Sequence, residues 1–421
     1  MKRDKIWLSL AQMSGYEMQF IQSAFDTNWI APLGPNVTDF ENRLKNYVSP
    51  DPENCKEVVA LNTGTAALHL ALLQLGVSAG DEVLCQSFTF AATANVITYL
   101  GAKPVFVDSE NMTWNMCPVM LEEAICSRLA ITGKLPKAIL FVDLYGMPAQ
   151  ADKIVEVAQK YGIPVVEDAC EALGSRYKNQ SCGTFGNFGA LSFNGNKIIT
   201  TSGGGALICP CEETAKKTLF YATQARENEV HYQHNEVGYN YRMSNVSAGI
   251  GCGQMMALDG FVEARRRNHK LYSKLFSEVQ GISVQENPND DFESNFWLTC
   301  IVIDERKFGK TANEIRILLE QNNIETRPLW KPMHLQPVFA HLPYYGNNVC
   351  ENLFTNGLCL PSGVGLTVED IYYIVDLILT DYPPVKKNEY ARIKSKDLRY
   401  RRVSVEKVSS VLYNHHNHEN L

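Results

Sequence analysis

The feature that most constrains this chain of 421 residues is an alternation of short apolar runs with helical patterns between residues 58 and 209. This alternation is typical of β-α-β units, in which crossover helices connect parallel strands. Strands are predicted at residues 82–86, 104–108, 138–144, 164–168, 190–193 and 205–209. Helices are predicted at residues 66–75, 92–100 and 152–161. We therefore expect an α/β domain built on one wide, largely parallel sheet.

A different pattern follows and predicts a second, smaller domain of α+β type. A long helical stretch covers residues 244–274, and shorter strand and helix patterns lie beyond it at residues 297–303, 312–321, 324–328 and 368–379. We place a large domain at residues 1–259, a small domain at 260–385 and a tail at 386–421. The tail is basic and polar, with nine Lys or Arg against three acidic residues between positions 386 and 407. A charge run of this kind is usually a solvated or flexible segment.

Charge and hydropathy argue against several classes of function. The net charge is −7, whereas a dedicated nucleic-acid binder needs a basic face. No apolar run approaches the ~18 residues of a membrane-spanning helix, and residues 1–5 do not introduce a signal peptide. We therefore expect a cytoplasmic protein without nucleic-acid or membrane partners. Its 12 cysteines are expected to be reduced, and no metal site is expected, because Cys209 and Cys211 lack further ligands at zinc spacing.

Lys197 is the first candidate for chemistry. It lies among small and polar residues at 192–200, between two apolar strands and just before three consecutive glycines at 203–205. A lysine held in the interior is rare without a partner or a task, and burial turns its amine into a nucleophile that can form a Schiff base. Taken alone, the segment is more typical of a lysine on a surface loop.

Asp168 is the second candidate, because it ends a buried apolar strand 29 residues before Lys197. Residues at the carboxyl ends of parallel strands face the ligand crevice, where a carboxylate can hold a cation such as a protonated pyridine nitrogen. An ordinary strand-end cap is the alternative. The segment 62–68 places Gly64 and Thr65 at the start of an apolar helix, where free amides favour a phosphate, although a turn capped by Thr63 or Thr65 would have the same sequence pattern.

Residues 5–383 as a whole resemble the DegT/DnrJ/EryC1/StrS family of pyridoxal phosphate-dependent sugar-nucleotide aminotransferases, which have the type I aminotransferase fold. The matching sequence motifs are NTGTAALHL (62–70), SFTF (87–90), LYG (144–146), EDACEALGS (167–175), SFNGNKIITTSGGG (192–205), QARE (224–227), GYNYRMSN (238–245) and TRPLWKPMH (326–334). They are most similar to the subgroup that aminates C4 of UDP-linked 4-keto-6-deoxy-N-acetylhexosamines for bacterial surface glycans such as lipopolysaccharide or capsule.

The resemblance implies roles for individual residues of the cofactor site. Lys197 would form the Schiff base with pyridoxal 5'-phosphate, and Asp168 would pair with the pyridine nitrogen. The other implied cofactor residues are Gly64, Thr65, Phe90, Glu171, Ser192 and Asn240. Asn240 would come from the neighbouring subunit, so the resemblance implies a homodimer with shared active sites. Phe90 would stack on the ring, with a core phenylalanine as the alternative.

The resemblance also implies where the sugar nucleotide binds. Arg327, Trp330, Lys331 and His334 group cations with an aromatic side chain, and Trp29 lies in an apolar segment that borders the substrate pocket in the family. A solvated basic turn is the alternative for residues 327–334.

The implied reaction is a two-step transamination from L-glutamate, with pyridoxamine 5'-phosphate as its intermediate. Amination at C3, a dTDP-linked ketosugar, or a regulatory or binding protein that retains the cofactor site remain alternatives. Dehydratases of the family have histidine in place of the lysine, so Lys197 argues against that activity.

Overall fold

The protein is described from a computed structural model that covers residues 4–50 and 55–380; the tail predicted at 386–421 lies outside the described residues. The strands are β1 (Glu57–Leu61), β2 (Glu82–Gln86), β3 (Lys103–Val107), β4 (Ala138–Val142), β5 (Val165–Asp168), β6 (Arg176–Tyr177), β7 (Gln180–Ser181), β8 (Phe188–Ser192), β9 (Gly205–Cys209), β10 (Ile282–Val284), β11 (Phe292–Glu293), β12 (Thr299–Ile303), β13 (Arg327–Pro328), β14 (Tyr344–Tyr345) and β15 (Gly357–Leu360).

Helices pack around these strands. They are α1 (Glu17–Asp26), α2 (Pro35–Val48), α3 (Gly64–Gln74), α4 (Ala91–Tyr99), α5 (Pro118–Thr132), α6 (Ala151–Tyr161), α7 (Glu212–Ala222), α8 (Asn245–Met255), α9 (Leu258–Phe276), α10 (Glu305–Phe308), α11 (Ala312–Gln321), α12 (Val349–Asn356) and α13 (Val368–Ile378). Within the described ranges, no helix is long and apolar enough to cross a membrane.

The central sheet has eight strands in the order β1-β9-β8-β5-β4-β2-β3-β14. The six strands from β8 to β14 run parallel, whereas β9 is antiparallel to both of its neighbours. Strands covered by helices on both faces are apolar throughout, which explains why their sequences are nearly continuous apolar runs. The predicted α/β fold with a large, mostly parallel sheet is confirmed.

Side chains alternate between the two faces of this sheet, and each face has its own set of helices. Cys85 and Leu140 pack with α3, α4 and α7 on one face, whereas Leu84 and Ile139 pack with α5 and α6 on the other. Helix α3 is buried almost all round, because it lies against β8 and β9 and is covered by α4 and α7. The start of α3 is thereby held at the carboxyl end of β8.

The strand predicted at 138–144 is shorter in the structure, because β4 ends at Val142. Residues Leu144–Gly146 instead form a 3-10 turn in which Tyr145 has a φ of 57°. This left-handed conformation is uncommon for a bulky residue and is incompatible with a strand. The turn directs the Tyr145 side chain into the interior, where it is 1% exposed.

A second sheet, with the antiparallel order β10-β12-β15-β13, packs against α9, α11 and α13. The boundary predicted at residue 260 falls near the start of α9. Two segments contact the other predicted domain. Ile6, from the predicted large domain, forms a bridge with Ile324, and β14, from the predicted small domain, joins the edge of the large sheet next to β3. The domain limits remain a prediction.

Candidate active site

A cavity of about 230 Å³ opens at the carboxyl ends of the parallel strands. Loops that follow β1, β2, β4, β5 and β8 converge there, as ligand-binding loops do in open α/β sheets. The residues that line it are Thr63, Gly64, Thr65, Leu68, Thr89, Phe90, Ala92, Thr93, Val142, Asp168, Cys170, Glu171, Ser192, Asn194, Asn196, Lys197, Gly203, Gly204, Trp297 and Trp330. Eight of the residues predicted for the site are among them.

Lys197 lies in this cavity with a side chain that is only 14% exposed. Its Nζ donates to Glu171 Oε1 at 3.3 Å and lies 4.3 Å from the centroid of the Trp297 ring. Burial raises the pKa of Glu171 to about 7, although the charge of Lys197 and the amide of Tyr145 oppose this rise. The amine is therefore held between a carboxyl group and an aromatic face.

Asp168 is buried at the end of β5 and accepts hydrogen bonds from two neighbours. The Thr93 hydroxyl donates to Oδ2 at 2.7 Å, and the Cys170 amide donates to Oδ1 at 3.2 Å. Thr93 belongs to α4, so its bond joins that helix to the strand end. These two bonds fix the orientation of the Asp168 carboxyl group at the edge of the cavity.

The start of α3 forms an anion cradle in the same cavity. Thr63 caps the helix by accepting from the Ala66 amide at 2.9 Å, while the amides of Gly64 and Thr65 belong to the first turn, which has no acceptor within the helix. A Cβ on Gly64 would lie 2.7 Å from Cys170 Sγ, and one on Gly205 would lie 2.3 Å from Gly64 N. Glycine at 205 allows β9 to approach the helix start closely, and glycine at 64 allows Cys170 and the end of β8 to do so.

Aromatic side chains form the mouth of the cavity. Phe90 is 59% exposed and its ring centroid lies 5.5 Å from that of Trp330. The Trp330 amide donates to the Tyr145 hydroxyl at 2.9 Å, and the Tyr145 amide donates to Glu171 Oε2 at 2.7 Å. Tyr145 therefore connects the carboxyl group beside Lys197 to the aromatic mouth.

Five of the predicted site residues do not line this cavity. Trp29 and Asn240 are exposed, and Arg327 forms an ion pair with Glu325 at 2.8 Å. Lys331 is half-buried, and its carbonyl accepts from Gln336 Nε2.

His334 is buried, with its ring nitrogens bonded to the Ser87 hydroxyl at 2.7 Å and to Glu351 at 3.2 Å. Its ring also stacks on Tyr344 with the centroids 3.7 Å apart. The substrate roles predicted for Trp29, Arg327, Lys331 and His334, and the cofactor role predicted for Asn240, remain predictions.

Trp297, Thr93 and Tyr145 belong to the site but carry no role in the sequence prediction. Trp297 begins the region predicted as a strand, although β12 starts at Thr299, and nothing in its neighbourhood indicates a cavity residue. Tyr145 lies in the LYG motif and Thr93 lies in the helical pattern at 92–100, and neither pattern indicates a polar contact in a site. Their polar groups point inward only because the turn after β4 and the start of α4 direct them there.

The donor set of the cavity matches the chemistry of pyridoxal phosphate. An amine, a buried carboxylate and a helix start with free amides correspond to the aldehyde, the ring nitrogen and the phosphate of that molecule. Gly64, Thr65 and Ser192 line the cavity at the helix start, where a phosphate would accept from the free amides. Lys197, Asp168, Thr65 and Ser192 are the residues that would hold the cofactor.

Comparisons with known proteins give a consistent result. The sequence profile described as the DegT/DnrJ/EryC1/StrS aminotransferase family matches residues 12–379. The Bacillus subtilis protein EpsN, by name a pyridoxal phosphate-dependent aminotransferase, is 48% identical over 379 residues, which cover 89% of this chain and 95% of that protein. GDP-perosamine synthase of Escherichia coli O157:H7 is 34% identical, and the match covers 87% of this chain and 95% of that protein.

Solved structures agree with these sequence matches. The PLP form of the sugar aminotransferase Spr1654 from Streptococcus pneumoniae superimposes with a TM-score of 0.80 at 27% identity. The match covers 89% of this chain and 98% of that one.

Proposed function

This chain belongs to the DegT/DnrJ/EryC1/StrS aminotransferase family, and on that premise we propose that it transfers the amino group of L-glutamate to the C4 ketone of a UDP-linked 4-keto-6-deoxy-N-acetylhexosamine. It is a pyridoxal phosphate-dependent aminotransferase, and its relatives support a sugar as the acceptor. Biosynthesis of a bacterial surface glycan is the proposed context.

The observation that carries the proposal is the meeting of Lys197 and Asp168 in one cavity. The two residues are 29 positions apart in sequence, and both face the crevice beside the anion-accepting start of α3. When bound, pyridoxal phosphate supplies a conjugated ring that takes up the electron pair left as a proton leaves the carbon bearing the amino group. Asp168 provides the negative charge that keeps the ring nitrogen protonated.

Lys197 moves the proton. In the glutamate half of the reaction, Nζ takes the proton from the carbon that bears the amino group. In the sugar half, the same amine returns a proton to C4. Glu171 holds Nζ at 3.3 Å and can accept or release its own proton near neutral pH, because its pKa is about 7. Glu171 therefore lies within hydrogen-bond reach of the amine that moves the proton.

The substrates need positive charge that the described lining of the cavity does not supply. Glutamate carries two carboxylates and a sugar nucleotide carries a diphosphate, yet Lys197 is the cation among the lining residues. A homodimer with shared sites, in which Asn240 of one subunit reaches the cofactor of the other, would bring further groups. Val230, Tyr232 and Val237, which lie 3 to 10 residues before Asn240 in the sequence, are exposed (103, 77 and 80%), and this exposure of apolar side chains supports a subunit interface in this segment.

A second candidate is a GDP-linked 4-ketosugar, because the chain is 34% identical to a GDP-perosamine synthase. Amination at C3, a dTDP-linked ketosugar, and a regulatory role with a retained cofactor site are further candidates. The enzymatic candidates share the same lysine chemistry. They differ only in what the aromatic mouth accepts.

A turnover assay with a panel of ketosugars distinguishes them. Purified enzyme with L-glutamate is given 4-keto and 3-keto sugars linked to UDP, dTDP and GDP, and product amines are identified by mass spectrometry. We expect the highest kcat/KM with the UDP-linked 4-keto-6-deoxy-N-acetylhexosamine. A higher value with a GDP-linked or 3-keto sugar would reassign the substrate, and no turnover with any sugar would favour the regulatory role.

Matched lysine variants test the chemistry itself. Lys197→Ala should abolish turnover, while Lys178→Ala should retain it, because Lys178 is an exposed lysine paired with Asp152 outside the cavity. Turnover that persists in Lys197→Ala would contradict the assignment.

A further inference from the structure

We propose that Arg265 is a positioning residue for Lys197. Through two intermediaries, Ser9 and Trp297, Arg265 holds the carbonyl of Asn196, which belongs to the peptide bond that precedes Lys197. The inference rests on the proposed function, in which Lys197 is the residue that binds the cofactor and moves the proton. Arg265 itself does not line the cavity.

Arg265 lies on α9 and is 1% exposed, which makes it the largest fully buried side chain in the described residues. Its guanidinium donates to the Trp297 carbonyl at 2.6 Å, to the Ser362 carbonyl at 3.4 Å and to Ser9 Oγ at 3.1 Å. Among the described residues, its Nε has no hydrogen-bond partner and no carboxylate forms an ion pair with it. The cation is therefore buried among neutral groups alone.

The bonds from Arg265 continue to a single atom, the carbonyl oxygen of Asn196. Ser9 accepts from the guanidinium and donates its own proton to Asn196 O at 2.8 Å. The indole Nε1 of Trp297 donates to the same oxygen at 2.6 Å. The four residues close a ring of hydrogen bonds that joins the N-terminal segment, the loop between β8 and β9, helix α9 and the segment just before β12.

The direction of these bonds gives the ring its effect. A charged donor polarises the Ser9 hydroxyl, and that hydroxyl then makes a stronger bond to the next acceptor. The carbonyl of Asn196 belongs to the peptide bond whose amide is that of Lys197. Trp297, held at both its carbonyl and its indole, also supports the lysine side chain, because Nζ lies 4.3 Å from the ring centroid.

Stability alone does not explain a buried arginine in this place. Replacing buried charged groups by apolar residues of similar volume often leaves the stability of the fold unchanged or raises it. A buried cation without a counter-charge is therefore poorly explained by a contribution to stability alone. Burial lowers the pKa of Arg265 to about 10, and the group therefore stays charged at neutral pH. The hydrogen bonds that start at this charge end on the Asn196 carbonyl, in the peptide bond that precedes Lys197, and they hold the lysine in place relative to Glu171 and the cavity.

The test uses Ser9→Ala, which breaks the ring without removing a buried charge. Its matched control is Ser14→Ala, because the Ser14 hydroxyl also ties the N-terminal segment to a distant carbonyl, that of Gly253 at 3.0 Å. Apoenzyme is mixed with pyridoxal phosphate, and the rate at which Lys197 captures it is followed by visible absorbance. Borohydride reduction and mass spectrometry identify the attached residue, and urea unfolding measures stability.

We expect Ser9→Ala to slow capture about tenfold, the scale of one lost hydrogen bond, and Ser14→Ala to stay within about twofold of wild type. In Ser9→Ala, kcat of both half-reactions should fall by a similar factor with little change in KM. Equal capture rates for Ser9→Ala and Ser14→Ala would overturn this inference and leave the proposed function intact. Attachment to a residue other than Lys197 would overturn both.

Arg265 variants complete the experiment. Arg265→Met removes the charge with similar volume and should slow capture at least as much as Ser9→Ala, whereas Arg265→Lys keeps one charged donor and should recover part of the rate. A folded Arg265→Met with the wild-type capture rate would also overturn the inference. If that variant does not fold, the comparison of Ser9→Ala with Ser14→Ala decides.

Discussion

Replacing Thr93 by valine tests whether the orientation of Asp168 matters for catalysis. The Thr93 hydroxyl donates to Asp168 Oδ2 at 2.7 Å, and both side chains are buried. Since this proton is committed to the carboxylate, the Thr89 hydroxyl, 2.8 Å from Thr93 Oγ1, must donate to Thr93. Thr93→Val keeps the volume of the side chain and removes the charge-assisted bond.

The magnitude follows from the type of bond that is lost. A hydrogen bond to a charged group contributes about 1.5–3 kcal/mol, whereas a neutral one contributes about 0.5–1.5 kcal/mol. If the whole loss in Thr93→Val appears in the chemical step, kcat falls by about 10- to 150-fold, since ~1.4 kcal/mol is a factor of ten. Thr89→Val loses only the neutral bond and leaves Asp168 its donor, so its kcat should stay close to that of wild type.

Single-turnover absorbance measurements of the glutamate half-reaction provide kcat, and urea unfolding of the same proteins provides stability. Both variants should be folded and should bind pyridoxal phosphate. Equal kcat values for Thr93→Val and Thr89→Val would refute the reasoning, because the two variants differ in whether Asp168 keeps its hydroxyl partner.

Four further predictions concern the other site residues. Asp168→Asn should bind the cofactor but lose several orders of magnitude in kcat, and a loss of only about twofold would mean that another group pairs with the pyridine nitrogen. The pKa of Glu171 is raised to about 7, so its contribution to the stability of the apoprotein is present at acidic pH and is lost as the pH rises through about 7; unfolding curves of Glu171→Gln between pH 4 and 8 should lack this slope. Mixing inactive Lys197→Ala and Asn240→Asp subunits should restore activity if sites are shared between subunits, and no rescue despite subunit exchange would place Asn240 in its own chain's site. Arg327→Lys should lower kcat/KM for the sugar nucleotide by about 1.5–3 kcal/mol in free energy and leave the glutamate half unchanged, and a loss confined to glutamate would reverse that role.

Local pattern was sufficient for six of the eight strands of the large sheet, whereas β1 and β14 were not among the predicted strands. The predicted strand at 82–86 coincides with β2, and in the smaller unit the predicted helix at 312–321 coincides with α11, because buried strands and one-sided helices leave apolar periodicities in the sequence. The strand predicted at 138–144 is two residues too long because nothing in the LYG motif reveals that Tyr145 adopts a left-handed conformation. That conformation depends on the bonds Tyr145 makes to Glu171 and Trp330.

The sequence by itself determined that Asp168 ends a strand of a parallel sheet and that Lys197 lies in the loop after another strand, which made both residues candidates for the chemistry. Only the tertiary structure decided what surrounds them. Arg265, Ser9 and Trp297 are far from Lys197 along the chain, yet they meet at the carbonyl that precedes it. Such contacts have no periodicity in the sequence, because they arise where separate segments pack together, and the position of a side chain there depends on the whole fold.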